Sequence, residues 1–222
     1  MFAVAIDGPS GAGKSSIAKA ASEKLGFIYV DTGALYRTVG FYLLRNNILP
    51  ENTAEVIANL PNMKIEMKYK GSEQKMFLCE EDVTDFIRTD EVSKIAALSS
   101  PIPEVRAFLL NLQMRMVEEN NVIMDGRDIG TVVLPNAQVK IFLTASAEER
   151  ARRRCIQMEE SGAKVDFETV LQNIIDRDEQ DMNRETSPLK QAEDAVLVDS
   201  TNIGKEETIN QICDIIKNKF TS

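Results

Sequence analysis

The sequence predicts an α/β fold in which helices cover both faces of a parallel sheet of five strands. Five short apolar runs alternate with longer segments of helical periodicity, and a glycine-rich loop directly follows the first run. Strands that alternate with helices favour parallel pairing, because each connection crosses back over the sheet. The predicted strands are Phe2–Ile6, Phe27–Val30, Val122–Met124, Val139–Leu143 and Ala195–Val198.

The first strand leads into Gly8-Pro9-Ser10-Gly11-Ala12-Gly13-Lys14-Ser15, which an alanine-rich helix follows. This order is typical of a phosphate-binding loop: backbone N–H groups surround the phosphates, the lysine reaches the β- and γ-phosphates, and the serine hydroxyl ligates Mg²⁺. A chance glycine-rich turn is the alternative, which the strand-loop-helix context disfavours. The predicted residues for a nucleoside triphosphate are Gly8, Pro9, Ser10, Gly11, Ala12, Gly13, Lys14, Ser15 and Ser16.

The second strand ends in Asp31-Thr32-Gly33-Ala34-Leu35-Tyr36-Arg37. One interpretation is structural, with Asp31 or Thr32 capping the next helix and Arg37 on its solvated face. However, open parallel sheets bind ligands at the carboxyl ends of their strands. We therefore predict a second ligand site here that includes Thr32 and Arg37.

The segment from Pro50 to about Ile95 departs from the α/β pattern. Apolar and charged residues alternate over 65–69, Gly71-Ser72 forms a turn, and Lys75–Cys79 indicates a returning strand. The sequence therefore predicts a small insertion that carries a β-hairpin.

Two further helices are predicted from apolar residues at helical spacing, and these residues are assigned to the core. The two stripes are Val105, Phe108, Leu109, Leu112 and Met116, and then Ile209, Ile212, Cys213 and Ile216. The three cysteines, Cys79, Cys155 and Cys213, form no C-x-x-C pair, so we interpret them as buried or idle thiols.

The third strand ends in Asp125-Gly126-Arg127-Asp128. A carboxylate directly after an apolar strand suits the Mg²⁺-organising position of phosphate-loop enzymes, usually through a water. We therefore predict a metal site at Ser15 and Asp125. Arg127 and Asp128 are expected to face the same crevice.

A lid is predicted from two basic elements after the fourth strand. A helix beginning near Ala147 carries four arginines at 150 and 152–154, and Arg177, Asp181 and Arg184 share one helix face further along. Solvated faces or surface ion pairs would give the same pattern. Phosphoryl transfer, however, requires several cations around the phosphates and exclusion of water, which favours a closing lid.

Composition excludes several classes of function. The formal net charge of −9 argues against binding a nucleic acid backbone. The chain has no histidine, which excludes hydrolases built on a Ser/His or Cys/His pair. No apolar run approaches about eighteen residues and the first strand begins at Phe2, so neither a membrane helix nor a signal segment is predicted. We expect a soluble, cytoplasmic protein.

Four stretches together resemble the bacterial cytidylate kinases, a branch of the nucleoside monophosphate kinases: Ile6–Lys14, Asp31–Arg37, Asp125–Val133, and Arg177-Asp178 through Asn183-Arg184. Many families share the phosphate loop, but not the other three stretches, and the likeness runs essentially from end to end. The resemblance implies one domain over 1–222 with a P-loop NTPase-type, parallel five-stranded fold. It also implies a monophosphate-binding insertion at 61–97 and a short lid within 149–187.

The resemblance implies transfer of the ATP γ-phosphoryl group to CMP or dCMP with Mg²⁺ as cofactor, by a monomer without nucleic acid or membrane partners. The implied acceptor residues are Thr32, Arg37, Arg106, Arg127, Asp128, Arg177, Asp181 and Arg184. Arg37, Arg127 and Arg184 belong near the acceptor phosphate. Arg177 and Asp181 belong near its ribose, and Arg106 with Asp128 at the cytosine edge. The implied catalytic cations are Lys14, Arg127, Arg177 and Arg184.

One departure from the family concerns the base. Some relatives have a base-contacting serine at the position of Ala97; here a hydroxyl from Ser93, Ser99 or Ser100 substitutes, or the contact is absent.

Two other functions stay open from the residues themselves. A phosphate-loop kinase for a sugar needs a carboxylate that activates a hydroxyl. A GTPase-type switch needs an Asn-Lys-x-Asp loop, but Asn218-Lys219 lies in the last helix and lacks the aspartate.

Overall fold

A computed structural model describes residues 1–71, 73–160, 162 and 164–220. Its strands are β1 (Ala3–Asp7), β2 (Ile28–Asp31), β3 (Ile65–Lys70), β4 (Glu73–Leu78), β5 (Glu81–Asp82), β6 (Val122–Gly126), β7 (Val139–Thr144) and β8 (Val196–Asp199). Its helices are α1 (Lys14–Leu25), α2 (Thr32–Arg45), α3 (Thr53–Asn59), α4 (Asp90–Ser99), α5 (Pro103–Glu119), α6 (Ala147–Glu160), α7 (Phe167–Asn183) and α8 (Lys205–Phe220).

The central sheet has five parallel strands in the order β2-β6-β1-β7-β8, which confirms the predicted fold class. Every strand extends at least one residue further toward its carboxyl end than the apolar run predicted. Hydropathy marks only the apolar side chains, whereas the backbone ladder continues into the next, polar residue. Four strands therefore bring an aspartate to the same edge of the sheet, at positions 7, 31, 125 and 199.

A second, antiparallel sheet contains β3, β4 and β5. The hairpin predicted from the alternation over 65–69 is present, with Ile65 opposite Leu78 and Lys70 opposite Glu73. Ser72, half of the predicted turn, lies outside the described residues. The short strand β5 was not predicted, because two exposed acidic residues carry no strand pattern.

Side chains attach this second sheet to the edge strand β2. The Gln74 amide accepts from the Asp31 N–H (2.8 Å) and donates to the Asp31 carbonyl (3.2 Å), so it binds the peptide groups on both sides as a neighbouring strand would. The Tyr69 hydroxyl donates to the Tyr29 carbonyl at 2.8 Å. The insertion is thereby fixed against the part of β2 that leads into the site.

Apolar residues of α2, α4, α5 and the second sheet form one core, and β1, β7, α1 and α8 contribute to another. Both predicted helical stripes face these cores: Val105, Leu109 and all four residues of the second stripe are buried. Cys155 and Cys213 are buried, whereas Cys79 is exposed. Among the described residues, none of the helices combines the length and apolar character needed to span a membrane.

Candidate active site

A cleft of about 580 Å³ opens at the carboxyl edge of the parallel sheet, between the phosphate loop, the insertion and helices α6 and α7. Most of the predicted site residues line it, namely Ser10, Gly11, Gly13, Lys14, Ser15, Ser16, Thr32, Arg37, Arg106, Asp125, Arg127, Asp128, Arg177, Asp181 and Arg184. Gly8, Pro9 and Ala12 do not line it. All three are buried beneath the surface of the loop.

The phosphate loop is shaped by its glycines. Gly8 has φ +150°, and a Cβ there would lie 1.9 Å from the Leu143 carbonyl oxygen, so β7 leaves no room for a side chain. Gly13 is in the left-handed region (φ +85°), and α1 begins at the next residue without a side-chain cap or an acidic residue in its first turn. The first N–H groups of α1 therefore remain available for an anion.

Lys14 is held inside the loop. Its ammonium is buried and donates to the Pro9 carbonyl at 2.7 Å. Burial, reinforced by the charge of Arg127, lowers the pKa of Lys14 well below its ordinary value, although Asp125, Asp7 and Asp181 oppose the shift. A bound polyphosphate would add negative charge beside this cation and favour its protonated form.

The side chains of Ser15, in α1, and Asp125, in β6, are in contact. The Ser15 hydroxyl donates to Asp125 Oδ2, and the Tyr29 hydroxyl donates to Asp125 Oδ1, both at 2.9 Å. Burial and the nearby Asp31 raise the pKa of Asp125. Among the described residues, no group of three acidic or cysteine side chains could hold a metal. One hydroxyl and one carboxylate suit Mg²⁺, which takes its other ligands from phosphates and water.

The predicted acceptor residues Thr32 and Arg37 belong to helix α2, which begins directly after β2, and both line the cleft. Asp31 caps the helix by accepting from the Ala34 N–H (2.9 Å) and pairs with Arg37 at 2.9 Å. The Thr32 hydroxyl is buried and donates to the Asp125 carbonyl at 2.7 Å. Arg88, which the sequence analysis missed, also reaches Asp31 (3.3 Å) and lines the cleft.

Five of the remaining predicted acceptor residues form one ionic network. Arg127 donates to Asp181 at 2.8 Å, and Arg106 pairs with Asp128. Arg184 lies 3.7 Å from Asp181 and 4.0 Å from Asp128, so it bridges the two pairs. Burial alone would raise the pKa of Asp181, but the adjacent arginines, Arg127 first, outweigh it and hold that pKa below its ordinary value.

The lining of the cleft contains more arginine and lysine side chains than carboxylates. Within the described residues, three buried guanidinium nitrogens have no hydrogen-bond partner: Arg37 Nε, Arg177 Nε and Arg184 Nη2. Burial lowers the pKa of Arg177, and the charge of Arg127 lowers it further. Buried donors without acceptors are costly, so this arrangement favours an anion in the cleft.

Two expectations about the lid need correction. Arg184 does not lie on a helix face, because α7 ends at Asn183 and Arg184 has extended geometry; its Nε donates to the Ser187 carbonyl at 2.7 Å. A left-handed residue at Ser187 and a following proline prevent the helix from continuing. Arg152, in the arginine run of α6, is exposed, pairs with Glu149 and does not line the cleft.

The serines near Ala97 divide into two groups. Ser93 and Ser100 line the cleft together with Ala97. Ser99 does not, because it is fully buried and donates to the Ile95 carbonyl at 2.9 Å.

Asp7 is a buried carboxylate that the sequence analysis did not single out. It accepts from the Ile129 and Gly130 N–H groups, each at 2.7 Å, and so holds the helical turn Ile129–Val133 that follows Asp128. Burial raises its pKa from 3.8 to about 6. Its position inside the glycine-loop stretch offered no signal of this distant contact.

This shift predicts a pH-dependent stability. A carboxyl with a raised pKa in the folded state contributes most when protonated, so its contribution is complete below about pH 4 and is lost as the pH rises through about 6. We expect Asp7→Asn to remove about 3 kcal/mol of this dependence. Denaturant unfolding at several pH values between about 4 and 7 measures the slope. Identical slopes for variant and wild type would contradict the assignment, whatever their absolute stabilities.

Comparison with known proteins bears on what this cleft does. The model of the cytidylate kinase family matches residues 4–218. The cytidylate kinase of Caldicellulosiruptor bescii is 48% identical over 212 residues, covering 96% of this chain and 94% of that protein. The cytidylate kinase of Carboxydothermus hydrogenoformans is 48% identical over 216 residues, covering 97% of each.

A solved structure of an uncharacterized protein from Eubacterium ventriosum aligns with a TM-score of 0.54 at 12% identity, covering 98% of this chain and 99% of that chain. This likeness shows a shared fold and nothing about activity. The sequence relatives carry the assignment, since the matches extend over nearly the whole chain and include the loop and cleft-lining stretches. The chain belongs to the cytidylate kinase family.

Proposed function

We propose that this protein transfers the γ-phosphoryl group of ATP to CMP or dCMP, giving ADP and CDP or dCDP. The observation that carries the proposal is the set of buried guanidinium nitrogens without a hydrogen-bond partner on Arg37, Arg177 and Arg184, in the same cleft as the phosphate loop. They suit an acceptor that is itself a phosphate. Family membership supports the same assignment.

The proposed reaction requires no protein nucleophile. An oxygen of the acceptor phosphate, already ionised at neutral pH, attacks the γ-phosphorus in line; a new P–O bond forms and the bond to the β-phosphate oxygen breaks. Catalysis then rests on position and charge. Lys14 neutralises the β- and γ-oxygens, and Arg127, Arg177 and Arg184 surround the transferring group and the acceptor phosphate.

Ser15 and Asp125 are the proposed magnesium site, with Asp125 acting through water. The ion would supply additional neutralisation of the phosphate oxygens. The protein's own part is orientation: Tyr29 and Ser15 fix both oxygens of the carboxylate before any ligand arrives.

The proposed base site is the Arg106–Asp128 pair. Cytosine presents an amino donor at C4 and an acceptor at N3, whereas uracil presents the opposite pattern at these atoms. Asp128 would accept from the amino group and Arg106 would donate to the ring. Ser93, which lines the cleft beside Ala97, is the hydroxyl best placed to replace the serine of some relatives, because Ser100 donates to the Ala97 carbonyl.

Base reading predicts a selective loss in Asp128→Ala. We expect kcat/KM for CMP to fall roughly 10- to 150-fold, which corresponds to a loss of about 1.5–3 kcal/mol of transition-state stabilisation. The value of kcat/KM for UMP should fall much less. Arg106 and Asp128 already pair with each other, so a purely structural pair is the alternative. That alternative predicts an unchanged CMP/UMP ratio together with a lower Tm, and such a result would defeat the base-reading assignment.

An ADP-release assay across CMP, dCMP, UMP, AMP, GMP and a panel of sugars tests the proposed function. Turnover with CMP and dCMP in preference to the rest is the expected result. Phosphorylation of a sugar would instead indicate a metabolite kinase. Absence of ADP release with every acceptor, together with GTP hydrolysis in a parallel reaction, would indicate a switch. Neither rival explains an excess of arginine beside the phosphate loop.

Several further assignments accompany this proposal. The insertion at 61–97 is proposed to bind the monophosphate and the segment 149–187 to act as the lid, within one domain over 1–222. Residues 161 and 163 of that segment lie outside the described residues. A monomer that acts in the cytoplasm, where nucleotides are interconverted, without nucleic acid or membrane partners, is also proposed.

A further inference from the structure

Arg150 contacts three different segments through one buried guanidinium. Its Nε donates to the Ala145 carbonyl just after β7, and its Nη1 donates to the Ser10 carbonyl of the phosphate loop, both at 2.9 Å. Its Nη2 donates to Asp178 Oδ2 of α7 at 2.6 Å. The residue is 4% exposed, in contrast to the exposed Arg152 two positions later.

These contacts connect the two halves of the proposed site. Ser10 belongs to the loop that binds the donor phosphates, whereas Asp178 directly follows Arg177 and lies about one helical turn before Asp181 on α7. A shift of α7 relative to the loop would stretch the bonds of Arg150. A lysine could not reproduce them, because one ammonium lacks the planar fork that reaches separate acceptors in fixed directions.

The energetics argue against a role in stability alone. Two buried charges lose their hydration, and replacing such a pair by apolar residues is often neutral or stabilising. Asp178 is not fully compensated either: within the described residues its Oδ1 is buried without a hydrogen-bond partner. A pair of this kind fixes the relative positions of the segments that it joins more than it adds to the free energy of unfolding.

We propose that Arg150 is a positioning residue, which together with Asp178 holds the phosphate loop and α7 at the separation required for transfer. Through α7 it sets where Arg177 and Asp181 stand relative to the donor phosphates. This inference rests on the proposed function, since it assumes that donor and acceptor lie on either side of this contact.

Variants of the pair separate positioning from stability. We expect Arg150→Met to lower kcat roughly 10- to 100-fold with a smaller effect on either KM, because misplacement of reacting groups acts on the transition state. The double variant Arg150→Met/Asp178→Leu removes both buried charges, so its Tm should recover while kcat stays low. Arg152→Met, on the same helix but outside the cleft, is the matched control and should retain wild-type kcat.

A second readout measures coupling directly. Binding of a non-hydrolysable ATP analogue by calorimetry, with and without saturating CMP, should show a CMP-dependent gain in affinity for the wild type that the double variant loses. Arg150→Lys provides a further test if the other variants fail to fold, and it should remain folded with the same kcat defect.

Wild-type kcat in a folded double variant or in Arg150→Lys would overturn the inference and leave only a structural ion pair. A wild-type protein that fails to phosphorylate CMP would instead overturn the proposed function, so the two failures are distinguishable. A loss of kcat that follows Tm in every variant would also contradict positioning.

Discussion

Lys14→Ala is expected to reduce kcat/KM for phosphoryl transfer by at least roughly a thousandfold, which corresponds to about 4 kcal/mol of transition-state stabilisation. The ammonium lies buried at the phosphate loop, where a positive charge opposite the β- and γ-oxygens is little screened by water. The coupled ADP-release assay with CMP measures the loss. The fold should remain, because removing a buried cation with a lowered pKa relieves desolvation.

Lys19→Ala is the matched control, since Lys19 lies on the same helix but is exposed. It should retain wild-type activity and Tm. Lys14→Ala activity within tenfold of wild type would contradict the proposed donor site, and a large fall in its Tm would contradict the separation of charge neutralisation from folding.

Gly8→Ala is expected to destabilise the protein by about 3 kcal/mol or more, lowering Tm by roughly 6–12 °C. The added methyl group would meet the Leu143 carbonyl oxygen at 1.9 Å, and this oxygen belongs to the backbone of β7 in the central sheet. The loop must move away from β7 to accept it. Thermal unfolding followed by circular dichroism measures this change, and activity should fall with it because the loop's N–H groups lose their alignment.

Gly204→Ala provides the comparison, because a Cβ at that exposed position meets nothing within 4 Å. We expect a change within about 0.5 kcal/mol there. Equal Tm values for the two variants would contradict this prediction, because the loop would then accommodate the methyl group beside β7 with little loss of stability.

The sequence predicted what is encoded by contiguous residues. The phosphate loop between a strand and a helix, the aspartate after the third strand and the hairpin at 65–78 each rest on local pattern, and the structure contains all three elements. Parallel strands also bring their carboxyl ends to one edge by necessity. Residues 31, 32, 125 and 127 could therefore be expected together without any knowledge of packing.

What could not be predicted depends on partners distant in the chain. The arginines of α6 look alike in sequence, but Arg150 is buried against the phosphate loop, whereas Arg152 is exposed. The packing of α6 against α7 determines this difference. Arg88 and Gln74 reach Asp31 from the insertion, whose docking no local pattern specifies. Asp7 gave no signal, because the backbone N–H groups that donate to its carboxylate lie more than a hundred residues later.

The central position of β1 has a consequence for biosynthesis. This strand is made well before β6 and β7, the two strands with which it pairs, and the Phe2 N–H donates to the Asn121 side chain, 119 residues further along. The buried members of the core around α2, α4 and the hairpin lie within residues 34–109, and Leu112 packs against them. During translation that core can form before Leu143 has been synthesised. The phosphate loop then lacks the Leu143 carbonyl, against which Gly8 packs in the folded protein. The phosphate loop is therefore synthesised well before it acquires its final form, and we expect the nascent chain to bind nucleotide only after β6 and β7 have emerged.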